Sequence, residues 1–391
     1  MRRFVLLLIL LLVISPSVLA QETNLMEACI DTYDPEVDYF PDKAEIIQAE
    51  GLEIEYFNNY KVVRTLTPYP GAEAPVEYVL VQCGTPAPEG YDDAQIVDVP
   101  VDSFIALSTT QLPHLRDLGR LDSLLALDSF LYVNTPEVID MIDMGELEEV
   151  GAMSDINVEV VLDLEPDVVM SNGFNPDTDA HPVLVNAGVF SVINSEWLEP
   201  TLLGRAEWIK FTALFFNEEA RATEVFDDIV DQYQMISEIA TSVPADERLT
   251  VLWNTPFNDS WTIPGQESWV GQLLADAGVD WVLMDEVEGV NQDFAFEAVF
   301  DAGFDAPLWI TNAFQISTLD QLMGLDTRYA DFTAFETGEV YNNNAKENAN
   351  GGNDFWETGV TNPDLLLMDL VALFYPDLLP DHELVFYQKL G

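Results

Sequence analysis

Carboxylates and amides make up most of the side chains able to do chemistry in this sequence. Fourteen lysines and arginines stand against seventy aspartates and glutamates, for a net charge of −56. Two of the glutamates occupy matching surroundings. Glu159 lies in NVEVVLDLEPDVVM (157–170) and Glu297 in FAFEAVFDAGFDAPLWI (294–310). Each stands eight residues before an aspartate, Asp167 or Asp305, that leads into an apolar run. A carboxylate there offsets the positive end of a short helix, an effect of about 0.3–1 kcal/mol. Across the chain as a whole, seventy acids guarantee carboxylate pairs, which leaves a secreted carboxylate-dependent hydrolase open on composition.

Other catalytic chemistry has less support. No nucleophile motif, metal-ligand spacing or phosphate-cradling glycine loop is present. The three histidines, at 114, 181 and 382, are far apart, which disfavours a bare zinc or manganese site built on imidazoles. The acidity opposes nucleic acid and anionic membranes, which both need a basic face. It suits solubility and a saline habitat, where screening weakens self-repulsion.

A second set of residues suits binding. Aromatic, amide and hydroxyl side chains gather just after the apolar runs. They are Ser108, Thr109 and Thr110, then Ser129 with Tyr132, Asn172 and Trp197, and further on Trp253, Trp261, Asn343 and Trp356. Rings supply contact area and stacking, and polar groups fix orientation. Each tryptophan taken singly serves equally well as core. Arg205 is the best cationic candidate, either contacting a ligand or pairing with Glu207 or Glu199. Lys210, one turn on, reads as solvated.

These residues need elements to hold them. Residues 1–20 read as a cleaved leader: Arg2 and Arg3, the apolar run 4–14, Pro16, and Val18-Leu19-Ala20 as a small-residue cleavage site. The mature chain is then exported, periplasmic or extracellular, and soluble. Cys29 behind Met26-Glu27-Ala28 makes a poor lipidation site, so no lipid anchor is expected. In an oxidising compartment the two cysteines, Cys29 and Cys83, read as one disulfide. Residues 21–94 form a β-rich module, with alternating strands at 52–66 and 76–83 and a Pro86/Pro88 linker.

From residue 95 strands and helices alternate, the α/β pattern of a parallel sheet flanked by helices. Strands are expected at 104–108, 124–129, 168–171 and 189–194. After residue 244 they recur at 249–254, 281–284, 308–311 and 340–344. Apolar positions Ala222, Val225, Phe226, Ile229, Tyr233, Ile236 and Ile239 mark a long helix over 218–243. Two α/β lobes, 95–217 and 244–391, joined by one helix suit a protein that holds a ligand in the cleft between them, beyond the carboxyl ends of the strands.

The chain resembles the substrate-binding proteins of ABC importers, specifically the ferric-siderophore and vitamin B12 class. The resemblance rests on ALSTTQLPHLRDLG, NVEVVLDLEPDVVM, LLGRAEWIKF and PGQESWVGQLLADAG, and spans roughly 95–391. It implies a class III substrate-binding fold of two Rossmann-like lobes bridged by one long helix. It also implies a monomer that delivers its ligand to ABC permease membrane subunits. By position, Glu159 and Glu297 correspond to the glutamates that dock onto permease arginines. No resident cofactor is implied; the ligand, a small-molecule metal chelate, carries iron or cobalt. Triply anionic catecholate chelates would need a basic cluster, so a hydroxamate siderophore, a corrinoid or haem fits better.

Overall fold

The computed structural model describes residues 23–391 apart from 93 and 258. The leader expected at 1–20 lies outside the described residues. Four strands begin the fold: β1 (Leu52–Tyr56), β2 (Tyr60–Thr65), β3 (Val76–Gln82) and β4 (Gln95–Val99). β1 to β3 form an antiparallel meander and β4 joins β3 in parallel. The module's sheet therefore runs past the expected boundary at 94. The segment with Pro86 and Pro88 is a loop that returns the chain to the same sheet rather than a spacer out of it.

The first lobe runs β5 (Phe104–Ala106), α1 (Leu112–Asp117), β6 (Leu124–Leu127), α2 (Pro136–Met144), β7 (Glu148–Glu149), α3 (Val158–Leu164), β8 (Val168–Ser171), α4 (Ala180–Asn186) and β9 (Ser191–Ile193). β5, β8 and β9 are buried at every position. This explains their near-continuous apolar runs, since a parallel sheet is covered on both faces. Two short helices, α5 (Leu202–Glu207) and α6 (Ile209–Leu214), lead into α7 (Glu219–Thr241), which is about 34 Å long at 1.5 Å per residue. Its buried face is Ala222, Phe226, Ile229, Tyr233, Ile236 and Ala240, at helical spacing.

The second lobe runs β10 (Thr250–Trp253), β11 (Ser260–Pro264), α8 (Trp269–Asp276), β12 (Asp280–Trp281), β13 (Asn291–Ala295), α9 (Phe296–Gly303), β14 (Trp309–Thr311), α10 (Leu319–Leu325), α11 (Thr333–Thr337), β15 (Val340–Asn342), α12 (Asp354–Glu357), α13 (Pro363–Phe374) and β16 (Gln388–Lys389). The strand expected at 281–284 shrinks to Asp280–Trp281, because Leu283 turns left-handed and a 3-10 turn follows.

The two large sheets repeat one topology. The first has order β7-β6-β5-β8-β9 and the second β12-β10-β14-β15-β16. Matching β6-β5-β8-β9 to β12-β10-β14-β15 leaves one extra strand in each lobe, on opposite edges. In both lobes the helix before the matched strand, β8 or β14, carries the glutamate at its second position, Glu159 in α3 and Glu297 in α9.

The module is fused to the first lobe. Phe40, Leu52, Val63, Tyr78 and Leu80 share one core with Phe104, Leu112, Trp208, Phe211 and Phe215. Lys61, fully buried, donates to Glu219 at 2.6 Å and to Asn217 at 2.8 Å. The Glu207 carboxylate accepts the backbone N–H groups of Ile47, Gln48 and Ala49, and Glu199 those of Glu50 and Gly51. Gly173 has φ +68, and a Cβ there would strike the Pro68 carbonyl of the module, so the close approach requires glycine. Cys29 and Cys83 are disulfide-bonded, with Cα atoms 4.8 Å apart.

Candidate functional site

In both lobes the chain reverses sheet direction between matched strands, between β5 and β8 and between β10 and β14. Crevices open beyond the carboxyl ends at such switch points. Ser108 caps the 3-10 turn Thr109–Gln111 that follows β5; its Oγ accepts from the Thr110 backbone N–H and lies 3.0 Å from the Thr110 hydroxyl. β8 delivers Asn172, whose Oδ1 accepts from Gln111 at 3.2 Å. A cavity of about 160 Å³ lies here, lined by Ser108, Thr109, Asp128, Tyr132, Asn172 and Phe174 among others. Burial pushes the Asp128 carboxyl up. Asp179, also at the cavity, is bound by the N–H groups of Gly173, Phe174 and His181, so its lone pairs serve the loop.

Beyond β10 the backbone of Asn254 is left-handed, φ +72, a conformation asparagine tolerates better than most residues. Its amide donates to the Thr262 carbonyl and its carbonyl accepts from Trp309. Two cavities meet around it. One, about 100 Å³, is lined by Trp253, Trp269, Asn343, Trp356 and Tyr387 among others. The other, about 690 Å³ and more open, includes Phe257, Asn312, Phe314 and Arg328. Phe257 is 79% exposed and Phe314 69%.

The lobes touch along one flank. Glu357, on α12, accepts from the backbone N–H groups of Asn134 and Thr135 and from the Thr135 hydroxyl, which stand at the start of α2 in the other lobe. Asn348 donates to the carbonyls of Leu131 and Val133. A Cβ on Gly352 would collide with the Tyr132 carbonyl, so only glycine permits this approach. Burial pushes the Glu357 carboxyl up, and its three hydrogen bonds pull it back.

The structure groups Ser108, Thr109, Tyr132 and Asn172 around the first-lobe cavity, and Trp253, Asn343 and Trp356 around the second. Thr110 sits in the turn beside Ser108. Trp197 stands next to the first cavity; its indole N–H donates to the Asn172 carbonyl and its ring lies 5.1 Å from Phe174. Ser129 serves the turn after β6, accepting from the Leu131 N–H.

Two expectations need correction. Trp261 is fully buried; β11 turns it inward onto Trp309, Phe296, Tyr329 and Phe332. It is core, not cleft. Lys210 is not solvated: it is buried and bound to Glu207 at 2.7 Å, because Glu207 gathers the module backbone there. Arg205 pairs with neither Glu207 nor Glu199. It stands 3.4 Å from Glu196, donates to the Trp197 carbonyl at 3.0 Å, and lies over the ring of Trp269. Glu196, Trp269 and Tyr387 were missed in the sequence. Trp269 carried a signal, since Ser268 before it is a helix cap that sets it at the first position of α8.

Glu159 and Glu297 are both exposed. Glu297 meets Arg328 at 3.3 Å, and Arg328 is gripped by Asp326 at 2.6 Å while lying 3.8 Å from the Phe296 ring centroid.

The model of the periplasmic binding protein family matches residues 105–346. The chain belongs to that family. Among its relatives are two lipoproteins of Methanocaldococcus jannaschii. One is 23% identical over 247 residues, covering 62% of this chain and 56% of the relative. The other is 24% identical over 249 residues, covering 62% and 61%. The chain thus spans less than two thirds of either relative's length. Similar solved structures include Helicobacter pylori CeuE with Ni(II) bound, with TM-score 0.54, 16% identity, and coverage of 76% of this chain and 92% of that one. Another is the periplasmic haem-binding protein RhuT of Roseiflexus, with TM-score 0.53, 17% identity, and coverage of 71% and 99%. A periplasmic solute-binding protein of Staphylococcus epidermidis gives 0.53 at 15% identity, covering 71% and 99%. These likenesses establish the fold: the two-lobed periplasmic binding architecture, with an added N-terminal β module.

Proposed function

We propose that this periplasmic binding protein is the extracytoplasmic solute-binding component of an ABC importer. It holds a metal chelate, either a hydroxamate siderophore, a corrinoid or haem, between its two α/β lobes, and hands it to the permease. The observation that carries this reading is the paired lining at the carboxyl ends of both sheets, rich in indole, amide and hydroxyl groups. The three histidines, at 114, 181 and 382, are far apart in sequence, which supports metal arriving inside its own ligand. The chain acts as a monomer outside the cytoplasm. We read it as free of a lipid anchor, a reading supported by the disulfide that takes up both cysteines. No helix among the described residues is long and apolar enough to cross a membrane.

Titration with ferrioxamine B, cyanocobalamin and haemin tests the reading. At least one should quench tryptophan fluorescence and raise the melting temperature, since a ligand at 100 times its Kd adds about 2.7 kcal/mol to stability. Silence from all three chelates, together with a shift caused by free zinc or by a sugar, would reject it.

A further inference from the structure

β9 is an edge strand of the first-lobe sheet, paired on one side with β8. The Phe190 carbonyl and the Asn194 N–H bond to β8. Ser191 and Ile193, at the alternate positions, turn their backbone groups to the open edge. Buried backbone groups need partners, and an open edge is where a further strand would add. Here the N-terminal module supplies the partners from side chains. The Gln95 amide donates to the Ser191 carbonyl at 2.8 Å and its Oε1 accepts the Ser191 N–H at 3.1 Å, the two-point contact that a strand residue would make. The Tyr78 hydroxyl accepts the Ile193 N–H at 2.9 Å, and the Thr65 hydroxyl donates to the Ile193 carbonyl at 2.9 Å. These side chains come from three strands, β4, β3 and β2. All three stand at one end of the module sheet, the end away from Cys83.

The same end of the module presses on the loop after β8. A Cβ on Gly173 would lie 2.0 Å from the Pro68 carbonyl oxygen and 2.6 Å from Cγ2 of Ile193. Module, β9 and loop therefore meet at one point. Tyr69 follows Pro68 and is buried; burial, with the Asp179 charge as second cause, pushes its phenol up. Asp179 is the carboxylate that binds the Gly173 and Phe174 N–H groups. β9 itself runs straight into Asn194, whose Oδ1 accepts the Glu196 N–H, and then Trp197. Trp197 closes the circle by donating to the Asn172 carbonyl and lying against Phe174.

We infer that the N-terminal module is a positioning element of the first-lobe site: Thr65, Tyr78 and Gln95 take the place of a further strand on the β9 edge and, with Pro68, set where Asn172, Phe174 and Trp197 stand. The inference deepens the proposed solute-binding role, on which its use in binding rests. It gives the module a task in holding one wall of the cleft, beyond sharing a core with the lobe.

The test separates positioning from plain stabilisation. Thr65→Val and Tyr78→Phe keep side-chain shape and remove both contacts to Ile193. Val79→Ala is the control. Val79 is fully buried with Val62 and Val81 on the opposite face of the module sheet, so the cavity loosens the module without touching β9. In protein labelled with 5-fluorotryptophan, the Trp197 fluorine resonance, assigned by Trp197→Phe, should shift in the Thr65→Val/Tyr78→Phe double variant. The resonances of Trp281 and Trp309 in the second lobe should stay in place. Val79→Ala should lower the melting temperature and leave the Trp197 resonance where it is. Gln95→Leu, on the half-buried part of the edge, should give the same shift and reads it if the double variant does not fold. Whichever of ferrioxamine B, cyanocobalamin or haemin the wild type binds should bind the double variant about 3–10-fold more weakly, the size of one uncharged hydrogen bond, and Val79→Ala as tightly as the wild type. An unmoved Trp197 resonance, an equal shift in Val79→Ala, or unchanged chelate affinity with Trp197 displaced would overturn the inference. If the resonance moves as expected and the wild type binds no chelate, the module still positions this wall and the importer role falls.

Discussion

The guanidinium of Arg205 lies 5.7 Å from the ring centroid of Trp269, although the two residues belong to different lobes. Arg205 sits on α5 and reaches Trp197, whose indole binds the Asn172 carbonyl at the first-lobe cavity. Trp269 opens α8 and walls the second-lobe cavity. A continuous set of contacts, Asn172 to Trp197 to Arg205 to Trp269, thus links the two strand-end sites. Arg205 is 9% exposed and Glu196 6%. Burial pushes the Glu196 carboxyl up while Arg205 holds it down.

Removing the arginine should therefore be costly. Arg205→Leu leaves the Glu196 carboxyl buried without its partner, and stability should fall by about 3–5 kcal/mol. Adding Glu196→Gln removes the stranded charge and should restore most of the loss. Urea unfolding of both single variants and the double variant measures this. If the double variant is no more stable than Arg205→Leu, the ion pair is not what Arg205 contributes.

Acid should weaken the fold through His114. This side chain is buried against Thr212, and burial pushes its imidazole down to about 3, with Arg116 adding to the effect. The unfolded chain takes up a proton near pH 6.5 that the folded chain refuses until about pH 3. Between those values the unfolded state binds more protons, so stability falls as pH falls, by about 1.4 kcal/mol per pH unit for this group alone. His181, pushed down to about 4, acts in the same direction. Carboxyls with raised values, such as Asp364 at about 6, act oppositely, so the wild-type profile is a sum. His114→Gln isolates one contribution. The stability difference between wild type and variant should move in the variant's favour from pH 6 to pH 4, and chemical denaturation at each pH reads it. A constant difference would show that His114 does not titrate in this way.

Glu159 and Glu297 stand at equivalent places of repeated lobes, on the helices that precede the matched strands β8 and β14. Glu159 is exposed, whereas Glu297 already meets Arg328. We propose both as docking residues, which would act on association with a permease and not on ligand capture, since rim charges govern association rate and partner choice. Glu159→Ala and Glu297→Ala should leave chelate affinity unchanged, lower stimulation of ATP hydrolysis by the cognate permease in liposomes, and do so most together. Weakened chelate binding in either variant, or full stimulation by the double variant, would return both to the role of acids favoured at a helix start.

Much of the fold was legible because parallel strands are buried on both faces and read as short apolar runs, as in FIA and VVMS. The helix α7 was legible from its apolar face, and Asn157 marked the start of α3 as a cap. The site was less so. Trp253 and Trp261 look alike in sequence, both in apolar surroundings near a polar residue, yet one ends a strand at the crevice and the other points into the core. Strand direction settles that, and it depends on the β11–β13 ribbon, which has no counterpart in the first lobe. Glu199 and Glu207 were hidden for a different reason. In a chain with seventy acids nothing in composition marks the two that go inside to bind five backbone N–H groups of the module. Their signal lies in long-range geometry alone, as does the partnership of Lys61 with Glu219 across 158 residues.

The disulfide ties the N-terminal tail to the module sheet. Cys29 and Cys83 are 54 residues apart, and the Ile30 N–H donates to the Cys83 carbonyl beside them. In the chain-entropy model, closing a loop of that size removes freedom from the unfolded chain worth about 4 kcal/mol. The tail also binds the body by other means, with Asn24 donating to Glu219 at 2.8 Å, so reduction should loosen the tail without unfolding the lobes. Thiol counting on the unreduced, denatured protein should find no free thiol. The Cys29→Ser/Cys83→Ser double variant should melt at a lower temperature than wild type and bind chelate with unchanged affinity, since both cysteines lie outside the linings of the three cavities at the strand ends. Equal melting temperatures would show that the tail's hydrogen bonds hold the module without the bridge, and lost chelate binding would show that the module shapes the cleft.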